Sequence, residues 1–128
     1  MPETPRPLVL LVDDEPTILG MFSEYLELSG FDVVKAVDGV QALERVRTHK
    51  PQVVVLDIRM PNMDGWEACE RIKKNPETSG IPVIFMTAFD QASDHERARR
   101  LHVQGYIAKP CEPSDLVKLI EEILVKQP

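Results

Sequence analysis

The sequence predicts a doubly wound α/β sandwich, in which a five-stranded parallel sheet is covered by helices on both faces. Three observations point there. Short apolar runs such as Leu8–Val12 lack polar alternation, as expected of strands covered on both sides. Between them lie segments whose apolar residues recur three and four apart, the spacing of a helix face. Strands and helices alternate five times within 128 residues, a length that suits one domain.

The first strand, Leu8–Val12, runs into Asp13 and Asp14. A helix follows, with Pro16 in its first turn, Ile18, Met21, Phe22, Tyr25 and Leu26 on one face, and Gly30 as its stop. The second strand covers Asp32–Ala36. Asp38 and Gln41 stand at capping-box spacing before a helix with Val40, Leu43 and Val46 on one stripe. The third strand, Val53–Leu56, ends at Asp57. Asp64 and Gly65 read as a loop and cap, and Trp66, Cys69 and Ile72 form the next helical stripe. The fourth strand, Ile81–Met86, ends at Thr87. The fourth helix, about Ala92 to His102, has only Ala98 and Leu101 as main anchors, so it should be the most loosely held. The fifth strand is Gly105–Lys109. The last helix opens near Pro113 and carries Leu116, Val117, Ile120, Ile123 and Leu124.

Residues 1–7 contain three prolines and are expected to form a flexible arm before a domain spanning 8–126. No effector segment is expected after the fifth helix. Hydrophobic residues make up 43% and charged residues 28%, which argues against disorder over the whole chain. No apolar run nears the roughly 20 residues of a membrane span, and no secretory signal opens the chain. Two cysteines make neither a disulfide framework nor a zinc site, so a cytoplasmic setting is expected. Fifteen basic against 21 acidic residues, a net charge of −6, argue against a dedicated nucleic-acid binder.

In open α/β sheets ligands bind beyond the carboxyl ends of the strands. Here the strands end in Asp13–Asp14, Asp57, Thr87 and Lys109. If those strands are neighbours, three carboxylates, one hydroxyl and one ammonium share a pocket. Clustered carboxylates repel and raise one another's pKa, and a bound cation relieves them. Oxygen-only ligands favour Mg²⁺ or Ca²⁺, and no calcium-loop spacing is present. An open Mg²⁺ site beside a lysine suits phosphoryl chemistry, in which a carboxylate attacks phosphorus.

These residues resemble the response-regulator receiver domains of two-component signalling. The matching pieces are Val12–Glu15, Val55–Gly65, Met86–Ala88 and Tyr106–Pro110, and the likeness covers about residues 8–126. It implies a flavodoxin-like three-layer sandwich with strand order 2-1-3-4-5. It implies that Asp57 accepts a phosphoryl group from a histidine kinase. Asp14, Asp57 and the carbonyl of Arg59 would ligate Mg²⁺, and Asp13 would hold a metal-bound water. Lys109 would pair with the phosphoryl oxygens, and Thr87 would hydrogen-bond them, with small Ala88 leaving access. Tyr106 would follow Thr87 inward and change the face made by the fourth helix, fifth strand and fifth helix, where a downstream protein would bind. Lys109–Pro110 would be a cis peptide. A receiver assists its own phosphorylation and dephosphorylation but is not otherwise an enzyme. It would work without nucleic acid or membrane insertion, as a monomer or a phosphorylation-dependent dimer.

The chain departs from the family pattern at His102 and Val103, where small residues are usual. Arg59 and Phe89, two after Asp57 and Thr87, occupy positions that influence phosphoryl hydrolysis. Three rival readings fit parts of the same sequence. An aspartyl-nucleophile phosphatase resembles an Asp-x-Asp motif, but the second position here is Arg59. A flavin-binding protein needs a phosphate-cradling loop after the first strand, where this chain has Asp13–Asp14–Glu15. A docking or phosphorelay module would share the receiver's architecture. Taken singly, Asp13 or Asp14 reads as a cap, Thr87 as a cap, Lys109 as a surface charge and Tyr106 as packing. Trp66, Met60 and Met63 read as packing. His49, His95 and His102 read as surface residues, Cys111 as partly exposed, and Arg97, Arg99 and Arg100 as a solvated helix face.

Overall fold

The computed structural model describes residues 5–88 and 91–126. Its elements are β1 (Leu8–Val12), α1 (Pro16–Leu28), β2 (Asp32–Ala36), α2 (Gly39–His49), β3 (Val53–Leu56), α3 (Gly65–Lys74), β4 (Val83–Thr87), α4 (Ala92–Arg100), β5 (Gly105–Ala108) and α5 (Pro113–Val125). The sheet is parallel throughout, in the order β2-β1-β3-β4-β5. That is the expected architecture and strand order.

Strand alternation divides the interior into two layers. Leu10, Val12, Val54, Leu56, Val83 and Phe85 point to the side closed by α2, α3 and Ala98 of α4. Val9, Leu11, Val53, Val55, Ile84 and Met86 point to the side closed by α1 and α5. Every residue of β1 after Leu8, and of β3 and β4, is buried, which is why those runs show no polar alternation.

Two helix faces differ from expectation. On α1 the inward residues are Leu19, Phe22, Ser23 and Leu26, whereas Met21 and Tyr25 are 48% and 39% exposed. On α2 the inward residues are Ala42 and Val46, with Leu43 half-buried and Val40 exposed. Hydrophobicity alone favoured the larger side chains, but close packing on the sheet admits Ala42 and Ser23 instead. β4 starts at Val83 because Pro82 has no N–H for the ladder, although its carbonyl still accepts from Val54 N at 3.0 Å. α4 buries only Ala98, in keeping with its expected loose hold.

Both α1 and α4 close with the same backbone device. At α1, Phe31 N donates to Leu26 O and Gly30 N to Glu27 O, with Gly30 at φ 103°. At α4, Val103 N donates to Ala98 O and His102 N to Arg99 O, with His102 at φ 58°. His102 thus takes the left-handed position that glycine usually fills. Of the stretch read as an arm, residues 1–4 lie outside the described residues. Within it, Arg6 forms an ion pair with Asp32 at 3.0 Å and donates to the carbonyls of Glu27 and Phe31.

Candidate functional site

Parallel strands deliver their carboxyl ends to one edge of the sheet. β1 and β3 are neighbours, and their ladder continues as Asp57 N donates to Val12 O at 3.0 Å. That register sets Asp57 beside Asp13 and Asp14. One carboxylate oxygen from each of the three lies within 4.8 Å of the others. Asp13 is fully buried, Asp57 is 6% exposed and Asp14 is exposed. Asp13 is fixed in part by its own turn, where Oδ1 accepts from Glu15 N at 2.9 Å.

Lys109 enters from the end of β5. Its backbone N–H donates to Thr87 O at 2.8 Å, and the Lys109–Pro110 peptide is cis. Its Nζ donates to Asp13 Oδ2 at 2.7 Å and to Asp57 Oδ2 at 3.2 Å. Burial holds the Asp57 carboxyl above the usual range; the Lys109 charge opposes that shift and the Asp13 charge adds to it. Burial pushes the Lys109 ammonium down, but the Asp13 hydrogen bond and the charges of Asp57 and Asp13 outweigh it, so the net shift is upward. The site therefore holds its cation between two buried acids.

Thr87 closes β4 and is fully buried. Tyr106 pairs in register with Phe85 and is half-buried. Its ring meets Phe85 edge-on, with centroids 6.4 Å apart, and lies 4.1 Å from the His95 ring. The structure thus brings Asp13, Asp14, Asp57 and Lys109 together, with Thr87 on the adjoining strand end. Tyr106 stands on the flank toward α4. Phe89 lies outside the described residues. Arg59 is exposed on the loop after β3, at the rim of a cavity of about 710 Å³ that Asp14, Met60, Trp66 and Arg97 also line.

Several supporting contacts of these and neighbouring residues are not visible in the sequence. Asp38 caps α2 by accepting from Gln41 N at 2.8 Å, and its other oxygen accepts from Asn62 Nδ2 at 2.7 Å. Asn62 itself adopts φ 67°. Gly39 N donates to Met63 O at 3.0 Å. These bonds strap the loop after β3 to the start of α2. The Asp38–Gln41 spacing showed the cap, but the Gln41 amide accepts from Val37 N rather than from Asp38 N. Gly65 lies so close to the strand end that a Cβ there would collide with Asp57 O and stand 2.9 Å from Ile58 Cα. Gly65 N donates to Ile58 O at 2.8 Å, tying α3 to the backbone beside Asp57. His95 is exposed as expected, yet it stacks on Tyr106. Arg97 is not simply solvated, since its guanidinium lies 4.5 Å from the Trp66 ring centroid.

A family profile described as the response regulator receiver domain matches residues 9–121. Protein PilH of Pseudomonas aeruginosa is 38% identical over 116 residues, which are 91% of this chain and 96% of PilH. A probable transcriptional regulator, ycf27 of Porphyridium aerugineum, is 35% identical, but the match spans only 47% of it. Among solved structures, a CheY-like response regulator receiver domain protein from Methanospirillum hungatei superposes with a TM-score of 0.89 at 27% identity. That match covers 95% of this chain and 96% of the other.

Proposed function

The chain belongs to the response regulator receiver domain family, and from that premise we propose that Asp57 is the residue whose phosphorylation operates it. A receiver of this kind is a phosphorylation-controlled signalling switch. The observation that carries the assignment is the buried Asp57 carboxylate, packed against two further carboxylates and 3.2 Å from Lys109 Nζ. A carboxylate so placed is a nucleophile at the strand edge with an ammonium ready for the charge it acquires.

The donor set fits a hard divalent cation. Three carboxylate oxygens lie within 4.8 Å of one another, which matches the oxygen preference of Mg²⁺. Asp14, Asp57 and the Arg59 carbonyl would hold the ion, with Asp13 completing the acidic wall. When bound, Mg²⁺ supplies charge neutralisation for the transferring phosphoryl oxygens. The chain's own residues do the rest. Asp57 accepts the phosphoryl group from a histidine kinase. Lys109 shifts its hydrogen bonds from Asp13 to the new phosphoryl oxygens. The Thr87 hydroxyl donates to the same group, and Tyr106 follows it. The phosphoryl dianion with its strong acceptor oxygens thereby biases a conformation already sampled.

Tyr106 stacks on His95 of α4, and α4 buries only Ala98, so a change at Tyr106 is passed to a weakly held helix. The face of α4, β5 and α5 is therefore the surface offered to a downstream protein in the cytoplasm. The test is Mg²⁺ with beryllofluoride, a stand-in for the phosphoryl group, followed by NMR. Shifts at Tyr106 and along α4 are expected. Shifts confined to residues around Asp57 would leave the switch without an output.

A further inference from the structure

α4 carries three arginines in its last turn, and their surroundings differ. Arg99 and Arg100 both turn to Glu96, at 2.9 and 3.9 Å. Arg97 makes no ion pair within 4.0 Å among the described residues; it lies over the Trp66 ring, and, behind the Lys74 hydrogen bond, its charge helps hold the Glu70 carboxyl below the usual range. Trp66 is itself fixed, 7% exposed and edge-on to Phe85 with centroids 4.9 Å apart. Stacking occupies the face of a guanidinium and leaves its N–H edges for an anion. Arg97 is thus a cation held against a buried aromatic platform.

The place where it is held gives this meaning. Arg97 and Trp66 line the same cavity as Asp14, the exposed member of the carboxylate cluster. The volume, about 710 Å³, falls in the range of small-ligand sites. Arg59 lines it from the β3 side, and Asp64, also at its wall, has its carboxylate engaged by Glu67 N at 2.9 Å. A phosphodonor must bring a dianion up to three carboxylates, and a bidentate cation in the wall of the cavity beside them makes this approach favourable.

We propose that Arg97, held over Trp66, is a positioning residue for the phosphodonor, binding the incoming phosphoryl dianion in the cavity beside Asp14 and directing it to Asp57. This rests on Asp57 being the acceptor. In the step it serves, an Asp57 oxygen forms a bond to phosphorus as the phosphorus–nitrogen bond breaks. The P–N bonding pair goes to nitrogen: phosphoramidate, protonated on that nitrogen, releases ammonia, and phosphoimidazole, protonated on its other ring nitrogen, releases neutral imidazole, while the phosphoryl dianion stays on Asp57.

The experiment uses the full chain with Mg²⁺ and either phosphoramidate or phosphoimidazole, the latter carrying the group as a histidine does. Rates are followed by Trp66 fluorescence and intact mass over a range of donor concentrations. Arg97→Gln is expected to raise the half-saturating donor concentration about three- to fivefold, the scale of one partly exposed charge contact, with the limiting rate unchanged. Arg97→Lys, which keeps the charge, is expected to recover most of that loss. A loss with both donors assigns Arg97 to the phosphoryl group whatever carries it, and a loss with one donor alone overturns the proposal, because the contact then follows the carrier. An unchanged half-saturation with both donors, or a loss that lysine does not recover, overturns the proposal. Asp57→Asn separates the two readings. Labelling that survives it overturns the acceptor and this proposal together, whereas abolished labelling with an indifferent Arg97 overturns this proposal alone.

Discussion

Lys109 Nζ lies nearer Asp13 than Asp57, 2.7 Å against 3.2 Å. The ammonium makes its shorter bond with the carboxylate that is fully buried, and its longer one with the carboxylate proposed to react. Lys109 therefore has two roles in the resting chain. It offsets the repulsion between two buried acids, and it keeps a donor within reach of any group added to Asp57.

Removing that cation should expose the repulsion. Lys109→Gln retains a hydrogen-bond donor but leaves Asp13 and Asp57 facing each other. Without divalent cation at neutral pH it should cost about 3–5 kcal/mol, the usual cost of breaking a buried pair. The pH dependence has a definite sign. Asp57 already has a raised pKa in the folded chain, and losing Lys109 raises it further. A raised carboxyl favours the fold below its ordinary value near 3.8 and loses that contribution as pH rises through the folded value. The deficit of Lys109→Gln should therefore shrink as pH falls from neutral toward that value. Urea melts across this range check it, and a deficit independent of pH would remove Asp57 from the account.

The cation site makes a separate prediction. Asp14 is the exposed member of the cluster, so replacing it should leave the core intact. Asp14→Ala should weaken Mg²⁺ binding by at least roughly tenfold, the lower end of what loss of even an outer-shell partner costs. Isothermal titration with Mg²⁺ measures it directly. Unchanged affinity would move the ion elsewhere.

The loop strap predicts an effect at low pH. Hydrogen bonds from Gln41 N and Asn62 hold the Asp38 carboxyl below the usual carboxylate range. A depressed carboxyl contributes stability that is fully present above about 3.8 and lost as pH falls through the lower folded value. Asp38→Ala should cost about 1–2 kcal/mol at neutral pH, as for loss of a helix cap. The difference from the parent chain should close in strong acid. Paired urea melts test this, and a gap that persists in acid would mean that the carboxylate charge contributes nothing.

The architecture and the four clustered site residues were legible because both depend on strand ends. A buried strand shows itself as an apolar run, and the polar residue that stops it marks the carboxyl edge, so Asp13, Asp14, Asp57 and Lys109 could be read in order. Strand neighbours came from the family resemblance, since no local pattern says that β1 lies between β2 and β3. Helix faces were less legible where a small residue faces the sheet, as Ala42 and Ser23 do in place of Val40 and Tyr25. The contacts that hold the loops were hidden for a different reason. Asp38 and Asn62 are 24 residues apart and meet through the fold. Arg97 and Trp66, and His95 and Tyr106, likewise join elements distant in sequence.

The most direct test of the central claim is where the phosphoryl group goes. The full chain is incubated with Mg²⁺ and phosphoramidate, then digested and mapped by mass spectrometry, with hydroxylamine used to detect an acyl phosphate. A single phosphoryl group on Asp57, released by hydroxylamine and absent from Asp57→Asn, is the predicted result. A phosphoryl group on another residue, or labelling that persists in Asp57→Asn, would contradict it.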